Sequence, residues 1–341
     1  MVTIKDIAKI AGVSPSTVSR VVSNHPRISH ETSRKVKAIM EQEGYHPNIM
    51  AKSLVSKTTQ TLGILLPRPA EELFQNDFFG ELLRGIVTQA TSAGYDTLIT
   101  TVTKDTDELM AISRLVRGQR VDGILLLSSR TSDPVIGFLQ ENEFPFVLIG
   151  RSDDYQDVLS IDNNNVQAAQ DATNHLISQG HTRIGFINGP TNLVVSQDRL
   201  AGYHKALCEA NIVARPEWAI AVDMMQQSGF RAISGYMSMP DRPSALVVFD
   251  DAIAFGVLRG LTELGYSVPE DISLVSFNNI PLSGVASTPI SSVDIGIYHL
   301  GYTASQFLLR SAQGKPLPED QIIIPHRLIV RKSSINQISS E

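Results

Sequence analysis

The sequence predicts an α/β protein with an all-α N-terminal head, followed by two doubly wound parallel-sheet units. Three observations carry this reading. Apolar residues recur at helical spacing through roughly the first 45 positions. From Leu62 onward, short apolar runs alternate with amphipathic segments, the pattern of β–α units. The alternation starts again near Val166, and 341 residues exceed what one ordinary core organises.

In the head, Thr3 is placed to cap a first helix, with Asp6 as its capping-box partner. Ile4, Ile7, Ala8 and Ala11 share one face, and Gly12 supplies a left-handed stop. Val13 fills the turn. Ser14 caps a second helix and Pro15 occupies its first turn, where a missing N–H costs nothing. Val18, Val21 and Val22 point inward on that helix. Pro15, Ser16, Ser19 and Arg20 point outward, with Thr17 near the exposed start. A third helix begins after Ser29, buries Val36, Ile39 and Met40, and stops at Gly44. Three short helices with a three-residue turn make a helix-turn-helix unit. Its small polar face suits the major groove, and Arg20 matches guanine O6 and N7. The same spacing also fits a generic three-helix bundle with a solvated Arg20.

Charge adds a second strand of argument. The formal net charge is −6, yet residues 1–57 carry nine of the 29 basic and four of the 35 acidic side chains. The head is therefore at +5 and the rest at −11. A basic head on an acidic body suits a polyanion-binding module, although a solvated basic face gives the same balance. No apolar run reaches membrane-spanning length, and Lys5, Asp6 and Lys9 leave no secretory leader. The single cysteine, Cys208, excludes an internal disulfide, and all of this suits the cytoplasm.

The stretch Thr3-Ile4-Lys5-Asp6-Ile7-Ala8, then Ala11-Gly12-Val13-Ser14 and Thr17-Val18-Ser19-Arg20-Val21, resembles the lactose/galactose repressor (LacI/GalR) family. So do Gly44-Tyr45 and Pro47-Asn48. The resemblance implies a homodimeric regulator that reads a pseudo-palindromic operator and senses a small molecule. It carries Thr3, Ser14, Pro15, Ser16, Thr17, Ser19, Arg20 and Asn24 over as DNA-contacting positions. It also implies a hinge helix from Asn48 through Val55, with Ala51, Lys52 and Leu54 at the DNA and Leu54 wedged between base pairs of the minor groove. Eight residues are too few for a stable isolated helix, so two copies meeting on DNA would support each other. Read without the family, Leu54 is better taken as part of a tether packed on the head. Ser56–Thr61 reads as a polar linker.

In the body, strands are expected at Leu62–Leu66, Thr97–Val102, Gly123–Leu127 and Phe146–Ile149, with helices such as Phe79–Ser92 and Asp107–Arg117 between them. A second set is expected at Ile184–Asn188, Ala219–Val222, Ala245–Phe249 and Ser273–Phe277. The family resemblance implies a sensing domain of the periplasmic-binding-protein type, with crossing strands near Leu159–Asp162 and Ser291–Ile295. The final strands, Gln321–Ile324 and Arg327–Val330, are expected in the second unit. The resulting domains are 1–45 (head), 46–61 (hinge and linker) and 62–341 (sensing and dimerisation). Within the last, the first subdomain covers about 62–161 and 292–320, and the second about 162–291 and 321–341.

Ligands of open α/β sheets sit outside the carboxyl ends of the strands. Asn76, Phe78 and Phe79 follow the first strand; in sugar-binding relatives this stretch gives an amide and aromatic faces. Adjacent aromatics at a helix start are otherwise more simply core. Arg151 follows the strand Phe146–Ile149, and Asp162 ends the crossing strand. Arg199, before Leu200-Ala201-Gly202-Tyr203, resembles the family's effector arginine and is expected to donate to hydroxyls in bidentate fashion. Asp250 is expected to accept from hydroxyls. Asn278 stands where the family usually has Asp, and Ile295 where some relatives place a polar group. Each charged residue also has a reading as a structural ion pair. The segment Ala70–Gln75 lengthens the first loop. The stretch Glu71–Asn76, with Ser53–Lys57, resembles maltose-operon regulators of low-GC Gram-positive bacteria, which points to a disaccharide such as maltose or a maltodextrin. The alternative is a global carbon-catabolite regulator whose main effector is a phosphoprotein.

No Walker-type loop, Gly-x-Ser-x-Gly motif or metal-spaced His pair is present, so neither enzyme chemistry nor a cofactor is expected. His175, His181 and His204 read as surface or core. The tail Ser333–Glu341 lacks a leucine heptad, which points to a dimer and away from a coiled-coil tetramer.

Overall fold

The structure, a computed structural model, describes residues 2–23, 25–45, 58–69, 76–102 and 107–335. The chain divides into two compact units: residues 1–61 with 119–122, and residues 62–118 with 123–341.

The first unit holds helices α1 (Ile4–Ala11), α2 (Pro15–Val22) and α3 (His30–Gln42). Thr3 donates to Asp6 Oδ2 from its hydroxyl at 2.7 Å and its N–H at 2.9 Å. Gly12, at φ +68°, ends α1 in the left-handed region, and Val13 N–H closes the turn on Ala8 O at 3.0 Å. Ser14 accepts from Thr17 N–H at 3.1 Å and Ser29 from Thr32 N–H at 3.2 Å, so two helices begin on serine caps. Ile7, Ala8, Ala11, Val18, Val21 and Val36 form the core, with Ile39 and Met40 packed at its edge.

The second unit carries two six-stranded sheets. The first is built from β1 (Thr61–Leu66), β2 (Asp96–Thr101), β3 (Gly123–Leu126), β4 (Phe146–Ile149), β5 (Ser160–Asp162) and β11 (Gln321–Ile323), in the order β11-β5-β4-β3-β1-β2. The second is built from β6 (Ile184–Asn188), β7 (Ala219–Ala221), β8 (Ala245–Val248), β9 (Ser273–Phe277), β10 (Ser291–Asp294) and β12 (Arg327–Ile329), in the order β12-β10-β9-β8-β6-β7. Pairing is parallel at β1–β3, β3–β4 and β4–β5, and likewise at β6–β8, β8–β9 and β9–β10. Strand β12 is antiparallel to β10. Helices α4 (Asp77–Ser92), α5 (Glu108–Arg117), α6 (Pro134–Glu141) and α12 (Ile297–Ala312) belong to the first lobe. Helices α7 (Asn165–Ser178), α8 (Val194–Glu209), α9 (Gln226–Met237), α10 (Asp251–Glu263) and α11 (Pro281–Val285) belong to the second. The central strands are buried along their whole length apart from the half-buried Thr61 at the start of β1, as parallel strands covered on both faces must be.

Helices α4 and α12 pack backbone to backbone. A Cβ at Gly85 would collide with the carbonyl oxygen of Tyr298, and one at Gly301 with that of Leu82. Only glycine at both positions allows this approach, and the pair anchors α12 to the first lobe although it follows a second-lobe strand.

Three expectations about chain path are corrected. Strand β11 joins the first sheet, where Ile322 pairs with Ile161; it does not join the second. Pro325 explains the split. It has no N–H to donate, so the run from Gln321 to Val330 breaks into two three-residue strands that serve different sheets. Residues 292–294, expected in the first subdomain, belong to β10 of the second sheet, and the chain crosses only at Ile295-Gly296, where Gly296 adopts φ +66°. Asp162, expected to open the second subdomain, is the last residue of β5 in the first sheet.

Candidate functional site

The outward face of α2 carries Pro15, Ser16 and Arg20 exposed, with Thr17 and Ser19 half-buried. Thr3 is exposed too. Ser14 is committed to the cap, sharing its hydroxyl with those of Ser16 at 2.8 Å and Thr17 at 2.9 Å. Asn24, Ala51, Lys52 and Leu54 lie outside the described residues, as does the segment 70–75.

In the second unit, the carboxyl ends of both sheets border one cavity of about 290 Å³. Both sheets switch direction there, since β1 lies between β2 and β3 and β6 between β7 and β8. Asn76, Phe78, Phe79, Arg151, Asp162, Arg199, Asp250 and Asn278 all line this cavity.

Their bonds refine the expected roles. Asn76 caps α4, accepting from Phe78 N–H at 3.0 Å, and donates across the cleft to Asp250 Oδ2 at 3.1 Å. Phe79 is a member of the core, while half-buried Phe78 meets it edge-on with centroids 5.1 Å apart. One aromatic face, that of Phe78, is therefore the more available. Asp250 caps α10, its Oδ1 accepting from Ile253 N–H at 2.8 Å. Burial pushes its pKa up to about 6, against the Ile253 and Asn76 hydrogen bonds. Asp162 is likewise pushed up to about 6 by burial, and its Oδ1 accepts from Asn163 N–H at 2.7 Å and Asn165 Nδ2 at 3.0 Å.

Arg199 is 3% exposed. Its Nε donates to Asn165 Oδ1 at 3.2 Å and its Nη1 to Phe249 O at 2.6 Å. The guanidinium also lies 4.1 Å from the Phe277 centroid and 4.9 Å from that of Phe249. Burial lowers its pKa to about 10, opposed by Asp250 and Asp162, so it remains charged at neutral pH. Two of its donors are thus spent on the protein, which leaves it less free than a bidentate hydroxyl donor would be. Arg151 takes the ion-pair reading. It makes two bonds to Asp198, at 2.6 and 3.1 Å, and one to Asp153. Since Asp198 lies on α8, this pair bridges the lobes. Val194 N–H to Ser129 O and Thr131 N–H to Asn192 O, both 3.2 Å, add backbone bridges.

Asn278 sits at φ +98° and Asn279 at φ +49°, a left-handed turn that asparagine tolerates better than most residues. Asp251 holds this turn. Its carboxylate accepts from Ser276, from Ser292 at 2.8 Å, from Ile280 N–H at 2.8 Å and from Ser283 at 2.6 Å. The sequence reading passed over Asp251, Asp198, Asn163 and Asn165. Three of them had a visible signal: Asp198 adjoins Arg199, and Asn163 and Asn165 lie in the run Asp162–Asn165 that links a strand end to a helix start.

A DNA-reading head on the same chain as a two-lobed small-molecule receptor is the make-up of a ligand-responsive transcription factor. Residues 3–48 match the bacterial regulatory proteins of the lacI family, and residues 173–334 match the periplasmic binding protein-like domain. The HTH-type transcriptional regulator MalR of Streptococcus pneumoniae serotype 4 is 36% identical over 336 residues, spanning 96% of this chain and 99% of that one. Among solved structures, the lac repressor dimer bound to operator and the anti-inducer ONPF superposes with a TM-score of 0.86 at 27% identity, covering 98% of this chain and 99% of that one. A probable maltose operon transcriptional repressor, malR from Staphylococcus aureus, gives 0.74 at 26% identity over 81% of this chain and 98% of that one. The chain belongs to the LacI family. It is a transcriptional regulator of LacI type and not an enzyme. Among the described residues, no helix is long and apolar enough to cross a membrane.

Proposed function

We propose that the chain is a cytoplasmic, homodimeric repressor of sugar-utilisation genes, released from its operator when a gluco-disaccharide such as maltose, or a maltodextrin, fills the cavity. The observation that carries this reading is convergence. Eight residues chosen from sequence as sugar contacts, spread from Asn76 to Asn278, border one cavity of about 290 Å³. Its lining combines an aromatic face, amides, carboxylates and arginines, as a polyhydroxylated ring requires. The probable maltose-operon repressor and the operator-bound dimer among the relatives support the ligand class and the assembly. Thr3, Ser14–Thr17, Ser19, Arg20 and Asn24 are assigned to the major groove, and Ala51, Lys52 and Leu54 to the minor groove.

The test is calorimetry of the full chain against glucose, maltose, maltotriose, cellobiose and a purine base, followed by titration of the operator complex with each binder. Binding of a gluco-oligosaccharide with release of DNA is expected. Tighter operator binding would make the sugar a corepressor. Response to none of the sugars, with response to a phosphoprotein, would replace the reading with phosphoprotein control.

A further inference from the structure

The chain passes between the lobes three times: after β5 at Asn163, after β10 at Ile295 and after β11 at Ile324. One side chain joins all three crossings. Asn163 Nδ2 donates to Ile295 O at 2.9 Å and to Ile324 O at 2.8 Å. Asn163 is buried, and it also lines the cavity between Asp162 and Asn165. The crossings touch elsewhere as well. Ile324 N–H donates to Asp162 O at 2.7 Å.

The residue type fits the task. A primary amide on a short stem offers two N–H groups in one plane, whereas aspartate offers none and serine one. Loss of the amide would leave one buried and one half-buried carbonyl, those of Ile295 and Ile324, short of a partner. Rotation of one lobe against the other must turn about these three segments, because only they connect the two sheets covalently.

We infer that Asn163 is the clasp of the interlobe hinge: by tying the three crossings together it makes the lobes move between two discrete arrangements as rigid bodies, and so couples the cavity to operator affinity. The coupling half of this inference rests on the cavity being the effector site; the mechanical half does not. Without the clasp, each crossing bends independently, and ligand-driven closure is absorbed in the hinge.

The test separates the two halves. Cys208, the only cysteine in the chain, lies exposed on α8 of the second lobe, and Asp96→Cys adds a partner at the start of β2 in the first. Spin labels at these sites report the interlobe distance in the full chain. Asn163→Ser should broaden the distribution. Asn164→Ala, which removes the Asn164 cap on Gln167 N–H but touches no other crossing, should leave it narrow at similar cost in stability. A narrow distribution in Asn163→Ser, or equal broadening in both, overturns the inference. If Asn163→Ser does not fold, hydrogen exchange of the parent decides. The amides of Asn165, Gly296 and Ile324 should share protection within about threefold, and a spread above about tenfold means independent crossings. Maltose then reads the coupling. The operator-affinity shift of the parent, about 5–150-fold for a typical allosteric pair, should shrink to within about twofold in Asn163→Ser; an undiminished shift overturns the coupling half. Should maltose leave the parent unmoved, the effector reading fails while the distances still judge the clasp.

Discussion

Arg20 is the sharpest residue-scale case at the DNA end. It is the long cationic side chain on an outward face of small hydroxyls, exposed on α2. Arg20→Ala is expected to weaken operator binding by about 1–3 kcal/mol and to relax preference at one base per half-site. An unchanged ratio of operator to random-DNA affinity would reduce Arg20 to a phosphate contact. In the cavity, Asp162 and Asp250 ionise near pH 6 in the fold, against about 3.9 in an unfolded chain. The folded chain therefore holds those protons more tightly. Their contribution to stability is complete below about pH 4 and is lost as pH rises through about 6. Asp250→Asn keeps an acceptor for the Ile253 N–H but does not titrate. Between about pH 5 and pH 7.5 the parent should lose on the order of 1 kcal/mol more than this variant in chemical denaturation. Equal losses would show that Asp250 is ionised at little cost. The identities of the cavity residues were legible in sequence because strand ends and family motifs mark them. Their commitments were not. That Arg151 is held by Asp198, 47 positions on, depends on how the two lobes face each other, which no local pattern encodes.

At the scale of elements, caps and breaks were the readable part. Ser14, Ser29 and Gly12 set helix limits in the head by short-range chemistry that leaves a mark in the sequence. Strands Gln321–Ile323 and Arg327–Ile329 show what stays hidden. Both are three residues long, and only pairing partners far along the chain decide which sheet each extends. The contact of α4 with α12 is similarly non-local, and it makes a clean prediction. Gly301→Ala drives a methyl into the Leu82 carbonyl, so the helices must separate. The expected cost is about 1–3 kcal/mol or more, read as a lower thermal midpoint of the second unit. Gly235→Ala, on α9 with open space at its Cβ position, is the control and should be neutral or stabilising. A similar midpoint for Gly301→Ala and the control would mean that α12 slides freely on α4.

For the whole molecule, sugar and operator must obey reciprocity. If maltose lowers operator affinity by a given factor, saturating operator must lower maltose affinity by the same factor. The two titrations are independent measurements, and unequal factors would require a third species, such as a change of assembly state. The ion pair between Arg151 and Asp198 bears on the size of this factor. It bridges the lobes through protein groups alone, so a ligand gains only what it adds beyond that bridge. Arg151→Met should therefore widen the span between sugar-free and sugar-bound operator affinities.

The threefold passage between lobes also shapes how the molecule is made. Each sheet ends with an edge strand drawn from residues 321–329, and the first lobe waits for α12 as well. Ser333 and Ser334 are then buried against the second sheet, where Ser333 Oγ donates to Leu274 O at 2.6 Å and Ser334 meets Ser291 at 2.6 Å. Residues 2–45 can collapse on the ribosome as soon as they emerge, since their core is local. Neither lobe can do so; both stay open at an edge until residues 321–329 are translated. During that interval the exposed strands β5 and β10 are the places where a nascent chain is open to chaperone capture or to misassembly with a neighbour on the same polysome.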